Sequence, residues 1–471
     1  MGKMFTIKAS EAYGRRLDPS FYSPQYRELD EALANCRYEC YEIRDLRIEV
    51  FQGVSRNLLE NDGIRLLKVK NILPDGSIDF ADTEPISDVP TNKILKDGDI
   101  ISPFIGAAIK GYKFGYFEDR GGKRWSFDNN TGVFRNNDER VLSRYLWSFF
   151  QLEITHRQLD RIIGGGGVPY LGTEYAKRLR VILPPLPEQR KIVAELDAAY
   201  AAKRAADEKA TKLLASIDDM VLNELGIAKL PKPDTSLSSR IFTVPAKEVA
   251  NATLAPDHYF DSIDFSKAKN PCERFVERID IDPPCGLERI TKLVPMESVS
   301  AEWCAIESIE DISPDATHGY STFRGGDVIW ARITPCMENG KSAVVEAEPS
   351  ECFCGSTEFL VFRPKDDKVN PYYLQSLLHL KRFREVAAHH FTGTSGHQRV
   401  TADFFKSISI PIPPRSVQDR IASMALSIRA EARKLKADAT AALDTAKRKI
   451  EARIVAADQV IAEAPAKKAA I

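Results

Sequence analysis

Two helical stretches decide the fold of this chain. Residues 188–225 read EQRKIVAELDAAYAAKRAADEKATKLLASIDDMVLNEL, and residues 416–463 form a second run of the same character. In each run, apolar or small side chains recur at alternating spacings of four and three, and the second series follows the first at a constant offset of 229. The two series are Ile192, Leu196, Ala199, Lys203, Ala206, Ala210, Leu213, Ile217 and Met220, and Ile421, Ala425, Ile428, Ala432, Leu435, Ala439, Ala442 and Ala446.

A four-three spacing kept over several heptads predicts the seam of a coiled coil. Both stretches have the same seam and neither covers it alone, so we expect the two helices to pair with each other. Because the chain must fold back between them, the pair is predicted to be antiparallel. Lys203 interrupts the first seam and is expected to fix its register. The alternative is two separate amphipathic helices, each lying on its own domain.

The helices belong to a repeat that runs through most of the chain. Residues 5–11 return as 242–248 at an offset of 237, and the Gly-Asp turn at 98–101 returns as 326–329 at an offset of 228. Before the helices, the Pro-Pro pair at 184–185 returns as 413–414, at an offset of 229. The first copy therefore has nine extra residues before its Gly-Asp turn, which indicates a longer loop. A register kept over this length predicts a duplicated architecture.

The predicted fold class is α+β: two similar mixed α/β modules separated by two long helices that form an antiparallel coiled coil, with a pseudo-two-fold internal repeat. The modules are residues 1–185 and 240–412, where short β-rich runs alternate with Gly and Asp turns. The first helix segment is 186–229, ended by Gly226, and a Pro- and Ser-containing linker follows at 230–239. The remaining segment, 413–471, contains the second helix and a tail.

Composition narrows the function classes. The 471 residues include 66 Lys plus Arg and 67 Asp plus Glu, a net charge of -1, which excludes a uniformly basic nucleic-acid coat but allows a local basic face. No apolar run approaches the roughly 18 residues that a membrane crossing needs, so no membrane association is predicted. The eight cysteines are scattered singly, without zinc-type spacing, and we predict free thiols in a reducing cytoplasm.

We find no convincing catalytic, cofactor or metal motif in the sequence. Residues 370–373 resemble the Asn-Pro-Pro-Tyr loop of adenine methyltransferases, but no glycine-rich nucleotide loop accompanies them. Asn370 as a helix cap with Pro371 in the first turn explains the segment without catalysis. The histidines show no metal spacing, and no P-loop occurs. The prediction is a non-enzymatic chain with no catalytic residue, no metal and no cofactor.

A basic and aromatic stretch between residues 110 and 127 is the main candidate for nucleic-acid contact. Its cations are Lys110, Lys113, Arg120, Lys123 and Arg124, and they interleave with Tyr112, Phe114, Tyr116, Phe117 and Trp125. Cations neutralise phosphates, and arginine also fits the guanine edge. The alternative is a strand pair with aromatic residues inward and solvated cations outward, and the two interpretations are compatible. In the second copy the candidates are sparser: Arg324, Arg332, Lys341 and Arg363.

Each copy also has a glycine-containing loop before its helix. The loops read GGGGVPY at 164–170 and TGTSGHQR at 392–399. Glycine allows a backbone amide to approach a phosphate closely, and the following side chains could reach a base edge. These candidates are Tyr170, His397, Gln398 and Arg399. A plain turn into the next strand is the alternative, and the difference in side chains between the copies fits either two different readers or neutral drift.

Residues 183–193, LPPLPEQRKIV, resemble the opening of the conserved helix in type I restriction-modification specificity subunits. The segments at 16–22 and 68–75 and the turn at 98–99 are also similar to that family, as is the duplicated plan of module plus helix. The second copy departs from the pattern, because residues 415–419 keep the glutamine but not the glutamate.

The resemblance implies a non-catalytic specificity subunit whose modules are target-recognition domains reading a bipartite site in double-stranded DNA. It implies docking of methyltransferase subunits, two in number, and of restriction and translocase subunits. The partner-docking residues it carries over are Pro187, Glu188, Gln189, Ile192, Gln418 and Ile421. Three alternatives remain: a DNA methyltransferase or nuclease with unrecognised motifs, a scaffold that never touches DNA, and a specificity subunit of a methylation-only system.

Overall fold

The computed structural model describes residues 19–55, 63–86, 89–119, 121–163, 168–230, 232, 236, 241, 243–246, 262–285, 290–394 and 398–455. The repeated opening at residues 5–11, the resemblance motif at 16–18, the glycines at 164–167, and the candidates Arg120 and His397 lie outside the described residues. The chain divides into two units: unit 1 takes residues 1–205 and 438–471, and unit 2 takes residues 206–437. Each unit therefore contains one module together with a part of each long helix, and the linear domain division given above stays a prediction.

Unit 1 is built on a four-stranded antiparallel sheet of order β2-β8-β5-β6. A three-stranded sheet, β4-β3-β7, and the two-stranded pair β1-β9 complete its strands in the described residues. The strands are β1 (Cys40–Glu42), β2 (Ile48–Gln52), β3 (Ile64–Leu67), β4 (Glu84–Ile86), β5 (Ile100–Pro103), β6 (Gly115–Tyr116), β7 (Trp125–Phe127), β8 (Thr131–Asn136) and β9 (Arg180–Ile182). The helices are α1 (Gln25–Ala34), α2 (Ser143–Phe150), α3 (Glu153–Ile162), α4 (Thr173–Ala176) and the first part of α5 (Leu186–Leu225).

Unit 2 repeats the four-stranded sheet, as β11-β18-β15-β16, and the two-stranded pair, as β10-β21. Its second sheet, β13-β12-β17-β14, has one strand more than that of unit 1, and the pair β19-β20 is additional among the described residues. Its strands are β10 (Cys272–Arg274), β11 (Ile279–Ile281), β12 (Lys292–Val294), β13 (Glu310–Asp311), β14 (Ser321–Arg324), β15 (Val328–Ala331), β16 (Ser342–Val344), β17 (Cys352–Gly355), β18 (Phe359–Pro364), β19 (Phe391–Thr392), β20 (Arg399–Val400) and β21 (Ser409–Pro411). Its helices are α6 (Phe275–Arg278), α7 (Pro371–His379), α8 (Lys381–His389), α9 (Ala402–Ser407) and the first part of α10 (Arg415–Ile454).

The duplication predicted from the sequence is confirmed in the topology of each unit. Strands β5 and β8 of unit 1 and β15 and β18 of unit 2 are central in their sheets and lie at the predicted offset of 228. Helices α5 and α10 have 40 residues each, and their first residues stand at the predicted offset of 229. Helix α5 ends at Leu225 because Gly226 adopts a positive φ of 74°, as the sequence predicts. Helix α10 is described to Ile454, and the predicted continuation at residues 456–463 lies outside the described residues.

The long helices bury a stripe that differs from the predicted seam at its end. In α10, Ala442 is exposed while Leu443 is 5% exposed, so the four-three spacing does not continue. Ile421, Ala425 and Ala432 are buried as predicted, but the later buried residues Leu443, Ile450 and Ile454 are shifted by one position from the predicted seam. The reason is that these side chains enter the module cores: Leu443 and Ile454 in unit 1, and Ile421 in unit 2.

The structure corrects two further predictions. Cys285 and Cys352 form a disulfide in unit 2, with their Cα atoms 6.2 Å apart, so the cysteines are not all free thiols. Arg363, named above as a candidate for nucleic-acid contact, is instead held by the buried carboxylate of Asp327 at 2.7 Å. A guanidinium held by a buried carboxylate on both sides of its fork is a structural ion pair.

Candidate nucleic-acid interface

The basic and aromatic stretch of unit 1 separates into an inner and an outer set. Phe114, Phe117 and Trp125 are buried at 8% exposure or less, whereas Lys110, Lys123 and Arg124 are exposed and Lys113 is half-buried. The aromatic side chains therefore belong to the core and do not form an exposed surface for stacking bases. The stretch is also not one strand pair, because β6 pairs with β5 while β7 pairs with β3.

The glycine loop of unit 1 meets the end of β5. The Gly106 amide donates to the Pro169 carbonyl at 2.9 Å, and the Leu171 amide donates to the Phe104 carbonyl at 2.9 Å. The Phe104 amide in turn donates to the carbonyl of Asn130 at 2.8 Å. These bonds bring Tyr170, which is 50% exposed, beside the short helical turn that contains Lys110. These hydrogen bonds bring the backbone at residues 104, 130 and 170 together, and we call these three residues the unit 1 junction.

Unit 2 has the same junction at the equivalent positions. The Thr334 amide donates to the Gln398 carbonyl at 3.0 Å, and the Val400 amide donates to the Arg332 carbonyl at 2.9 Å. The Arg332 amide donates to the Glu358 carbonyl at 2.9 Å. Positions 332, 358 and 399 therefore form the unit 2 junction, and each stands at an offset of 228 or 229 from its counterpart.

The side chains of the two junctions differ completely. Unit 1 has Phe104, Asn130 and Tyr170, whereas unit 2 has Arg332, Glu358 and Arg399. Asn130 and Glu358 are not among the candidates predicted from the sequence. The only sequence signal for them is their position, directly before the repeated strands β8 and β18 at the offset of 228.

An ion-pair cluster fills the unit 2 junction. Nε of Arg399 donates to both carboxylate oxygens of Glu358, Oε2 at 2.8 Å and Oε1 at 3.0 Å. Nη2 of Arg399 donates to Oε1 at 2.6 Å. Arg332 Nε lies 3.6 Å from the same carboxylate. Hydrogen bonding by Arg399 lowers the pKa of Glu358, so the carboxylate is ionised at neutral pH. The structure thus brings together three of the predicted unit 2 candidates: Arg332, Gln398 and Arg399.

Lys341 is engaged within its own unit. Its ammonium donates to the carbonyl of Met296 at 2.8 Å. Nucleic-acid contact by Lys341 remains a prediction, and the ammonium has two further N–H donors besides the one bound to Met296.

The two glutamines at the helix openings occupy equivalent buried sites. Gln189 Oε1 accepts from the Leu142 amide at 2.9 Å, and its Nε2 donates to the carbonyls of Arg140 and Pro184 at 2.7 and 2.8 Å. Gln418 makes the same three bonds, to the amide of Asn370 and the carbonyls of Lys368 and Pro413, at 2.8, 2.7 and 2.8 Å. Each glutamine fastens its long helix to the loop before α2 or α7.

This burial corrects part of the docking prediction. Gln189, Ile192, Gln418 and Ile421 are all 0% exposed, so none of them is accessible to direct contact with a partner protein. Pro187 is exposed, and Glu188 is half-buried, with an ion pair to Arg453 at 3.0 Å. Of the six predicted docking residues, only Pro187 and Glu188 have side chains that are exposed to solvent, fully or in part.

The methyltransferase-like segment is a helix cap, as the sequence interpretation favours. Asn370 Oδ1 accepts from the amides of Tyr372 and Tyr373 at 2.8 and 3.3 Å, and its Nδ2 donates to Asp419 at 2.7 Å. Its amide group is therefore committed to holding the start of α7.

Two repeated α+β modules, each combined with parts of two long helices, define the class of protein as a tandem-repeat α+β protein. Residues 68–212 and 299–429, more than half of the chain, match the family model of the type I restriction modification DNA specificity domain. The chain belongs to this family. Among the residues described, no helix is both long enough and apolar enough to cross a membrane.

Curated relatives agree with this assignment over a shorter region. The chain is 33% identical over 135 residues to the type I restriction enzyme EcoAI specificity subunit of Escherichia coli, and 30% identical over 136 residues to the EcoEI specificity subunit of the same organism. Each alignment covers 28% of this chain and 23% of the relative.

Solved structures are matched along most of the chain. A structure described as the basis of complex assembly and conformational transition of the type I R-M system has a TM-score of 0.47 at 17% identity, covering 88% of this chain and 96% of that chain. The HsdS subunit from Thermoanaerobacter tengcongensis has a TM-score of 0.35 at 16% identity, covering 89% and 97%.

Proposed function

We propose that the chain is the sequence-specific DNA-binding specificity subunit of a type I restriction-modification complex, and that each unit reads one part of a bipartite site. The observation that carries this proposal is the pair of junctions. Both units hold three backbone segments together by the same hydrogen bonds, yet they place different side chains there. A shared scaffold with different reading side chains is the arrangement that two half-sites of different sequence require.

The two long helices act as the spacer between the readers, paired in antiparallel fashion with pseudo-two-fold symmetry. Contacts inside each unit support this part. In unit 1, Arg453 near the end of α10 contacts Glu188 and Glu195 near the start of α5, at 3.0 and 2.9 Å. In unit 2, Arg420 near the start of α10 donates to Glu224 near the end of α5 at 2.9 Å. Opposite ends of the two helices meet in both cases.

Membership of the family supports the proposed partners. The chain docks two methyltransferase subunits and the restriction and translocase subunits, with Pro187 and Glu188 as the accessible docking candidates. It works in the cytoplasm without a cofactor or metal and performs no catalysis itself. Lys110, Lys113, Lys123 and Arg124 supply phosphate contacts in unit 1.

Single-molecule methylome sequencing of cells with and without the gene tests the function. We expect one bipartite methylated motif, with two short specific parts separated by an unread gap, to vanish on deletion. An unchanged methylome, together with unchanged restriction of incoming DNA, contradicts the proposal. The purified chain without partners should incorporate no labelled methyl group, whereas an enzyme with unrecognised motifs would. Cells that methylate the motif and restrict unmodified DNA have a restricting system, whereas cells that methylate it and restrict nothing have one that only methylates.

A further inference from the structure

The strongest unassigned feature is the carboxylate of Glu358 between two arginines. Glu358 is 19% exposed, and the side chains of Arg399 and Arg332 are 35% and 32% exposed, so the cluster sits at the surface with its carboxylate inward. Arg399 makes three contacts to Glu358 within 3.0 Å, and Arg332 stands 3.6 Å away. The three ionised groups have a net charge of +1.

This arrangement fixes the direction of a long side chain. A solvated arginine loses considerable side-chain entropy when it binds a base edge, and a bidentate carboxylate removes much of that loss in advance. Arg332 adds a second positive charge, since its Nε lies 3.6 Å from the same carboxylate. The cluster therefore offers the ordered guanidinium of Arg399 with the charge of Arg332 beside it.

We infer that Arg399 is the residue through which unit 2 reads a guanine, and that Glu358 is the positioning residue that holds it. This inference rests on the proposed function and names the base class at one of its two half-sites. Because Nε and Nη2 of Arg399 bind Glu358, the edge of the guanidinium that meets the O6 and N7 acceptors of guanine in the major groove is the Nη1–Nη2 edge. The Arg399 side chain is 35% exposed, whereas that of the ion-paired Arg363 is 15% exposed. The net positive charge of the cluster favours the acceptor-rich edge of guanine over the adenine edge, which presents an amino donor.

The equivalent junction of unit 1 supplies a matched control inside the same chain. Tyr170 stands at the position of Arg399 and Asn130 at that of Glu358. Neither side chain is a cation, so the unit 1 junction reads its base pair without a guanidinium. Substitution at one junction should therefore change one half-site and leave the other intact.

The experiment is selection of bound duplexes from a DNA library with a randomised central region. The full-length chain is used with the subunits that copurify with it, and each variant is first checked for an unchanged melting temperature. With Arg399→Lys, which keeps the charge but loses the fork, we expect preference at one G·C pair to fall about 5- to 100-fold. Glu358→Ala should relax the same pair, and Glu358→Asp should recover part of the preference. Tyr170→Ala should leave that pair unchanged and relax the other half-site.

The outcomes separate this inference from the proposed function. Wild-type protein that selects no sequence contradicts the proposed function. Wild-type protein that selects two half-sites, with Arg399→Lys and Arg399→Ala selecting the same bases at the same strength, overturns the inference alone. A uniform loss of binding across all sequences would make Arg399 a phosphate contact, and relaxation at an A·T pair would remove the guanine assignment.

Discussion

Arg135 donates two hydrogen bonds to the carboxylate of Asp99, from Nε to Oδ1 at 2.9 Å and from Nη2 to Oδ2 at 2.6 Å. The pair is buried, with side-chain exposures of 6% and 1%. It ties the turn before β5 to the neighbouring strand β8, and Arg363 and Asp327 make the same pair in unit 2. The repeated Gly-Asp turn therefore supplies the carboxylate of a buried ion pair, and its arginine, Arg135 or Arg363, is repeated at the same offset of 228.

Substituting Asp99 by Asn should destabilise unit 1 by about 3–5 kcal/mol, because it leaves a buried guanidinium without its counter-charge. Hydrogen exchange followed by mass spectrometry should show reduced protection in β5 and β8. Glu139→Gln, at an exposed position of the same unit, is the control and should change little. Unchanged protection in Asp99→Asn would mean that the ion pair is dispensable for this fold.

Gln189→Ala should lower the stability of the isolated chain by about 2–4 kcal/mol, because it leaves the Leu142 amide and two carbonyls without their buried hydrogen-bond partner. Chemical denaturation of the chain without other subunits measures the effect, and Gln418→Ala should match it. Ala194→Ser, at an exposed position of the same helix, is the control. If Gln189→Ala instead left the isolated chain unaffected and abolished methyltransferase association, the glutamine would be a docking residue after all.

The buried carboxyl group of Glu451 should make the free energy of unfolding of unit 1 depend on pH. Its carboxylate accepts from the Ile154 amide at the start of α3, at 3.0 Å, and burial raises its pKa to about 7. Between about pH 4.5 and pH 7 the folded chain holds a proton that the unfolded chain has released, so stability falls as pH rises through this window and is level above it. The total loss is about 3 kcal/mol.

Glu451→Gln should remove that fall, since the amide is neutral and keeps an acceptor oxygen. We expect the variant to be more stable than the wild type at about pH 8 and equal to it near pH 4.5. Calorimetric melting at a series of pH values measures the difference, with the exposed Asp438→Asn as the control on the same helix. If the melting temperatures of the wild type and Glu451→Gln changed with pH in parallel, ionisation of Glu451 would have no effect on the free energy of unfolding.

Lys123→Ala combined with Arg124→Ala should weaken DNA binding by the assembled complex and flatten its salt dependence. Each phosphate contact that the substitutions remove should reduce the slope of log K against log salt by about 0.9. Fluorescence anisotropy at several salt concentrations measures the slope. Lys209→Ala with Lys212→Ala, exposed on α5, is the matched control. An unchanged slope would mean that Lys123 and Arg124 take no part in phosphate binding.

The repeated sequence pattern is sufficient to predict the duplication, the long helices and the central strands, because the offset between the copies stays constant wherever both form the same element. The pattern does not predict which polar side chains are buried and which are exposed. Gln189 belongs to the helix-opening motif that the resemblance assigns to docking, yet its amide is buried by the preceding loop. From the sequence, Arg363 is interpreted as a surface cation, because its partner Asp327 lies 36 residues earlier in the chain and no local pattern indicates the pairing. Glu358 carries no motif of its own, and only the backbone junction brings it to Arg399.

The spacing proposal is tested by lengthening both long helices. Inserting four residues after Ala206 and four after the equivalent Leu435 adds roughly 6 Å along each helix and, being close to one turn, largely preserves the buried face. At about 3.4 Å per base pair, the gap between half-sites should grow by one to two pairs, with some rotation about the duplex. Because the junctions are untouched, both half-sites should keep their bases.

Methylome mapping of cells carrying the insertion measures both the gap and the half-site bases, and substituting four exposed residues at the same places without insertion is the control. A complex that still acts on the original gap would show that the helices serve docking alone. Altered half-site bases with the gap unchanged would move sequence reading onto the helices and away from the junctions.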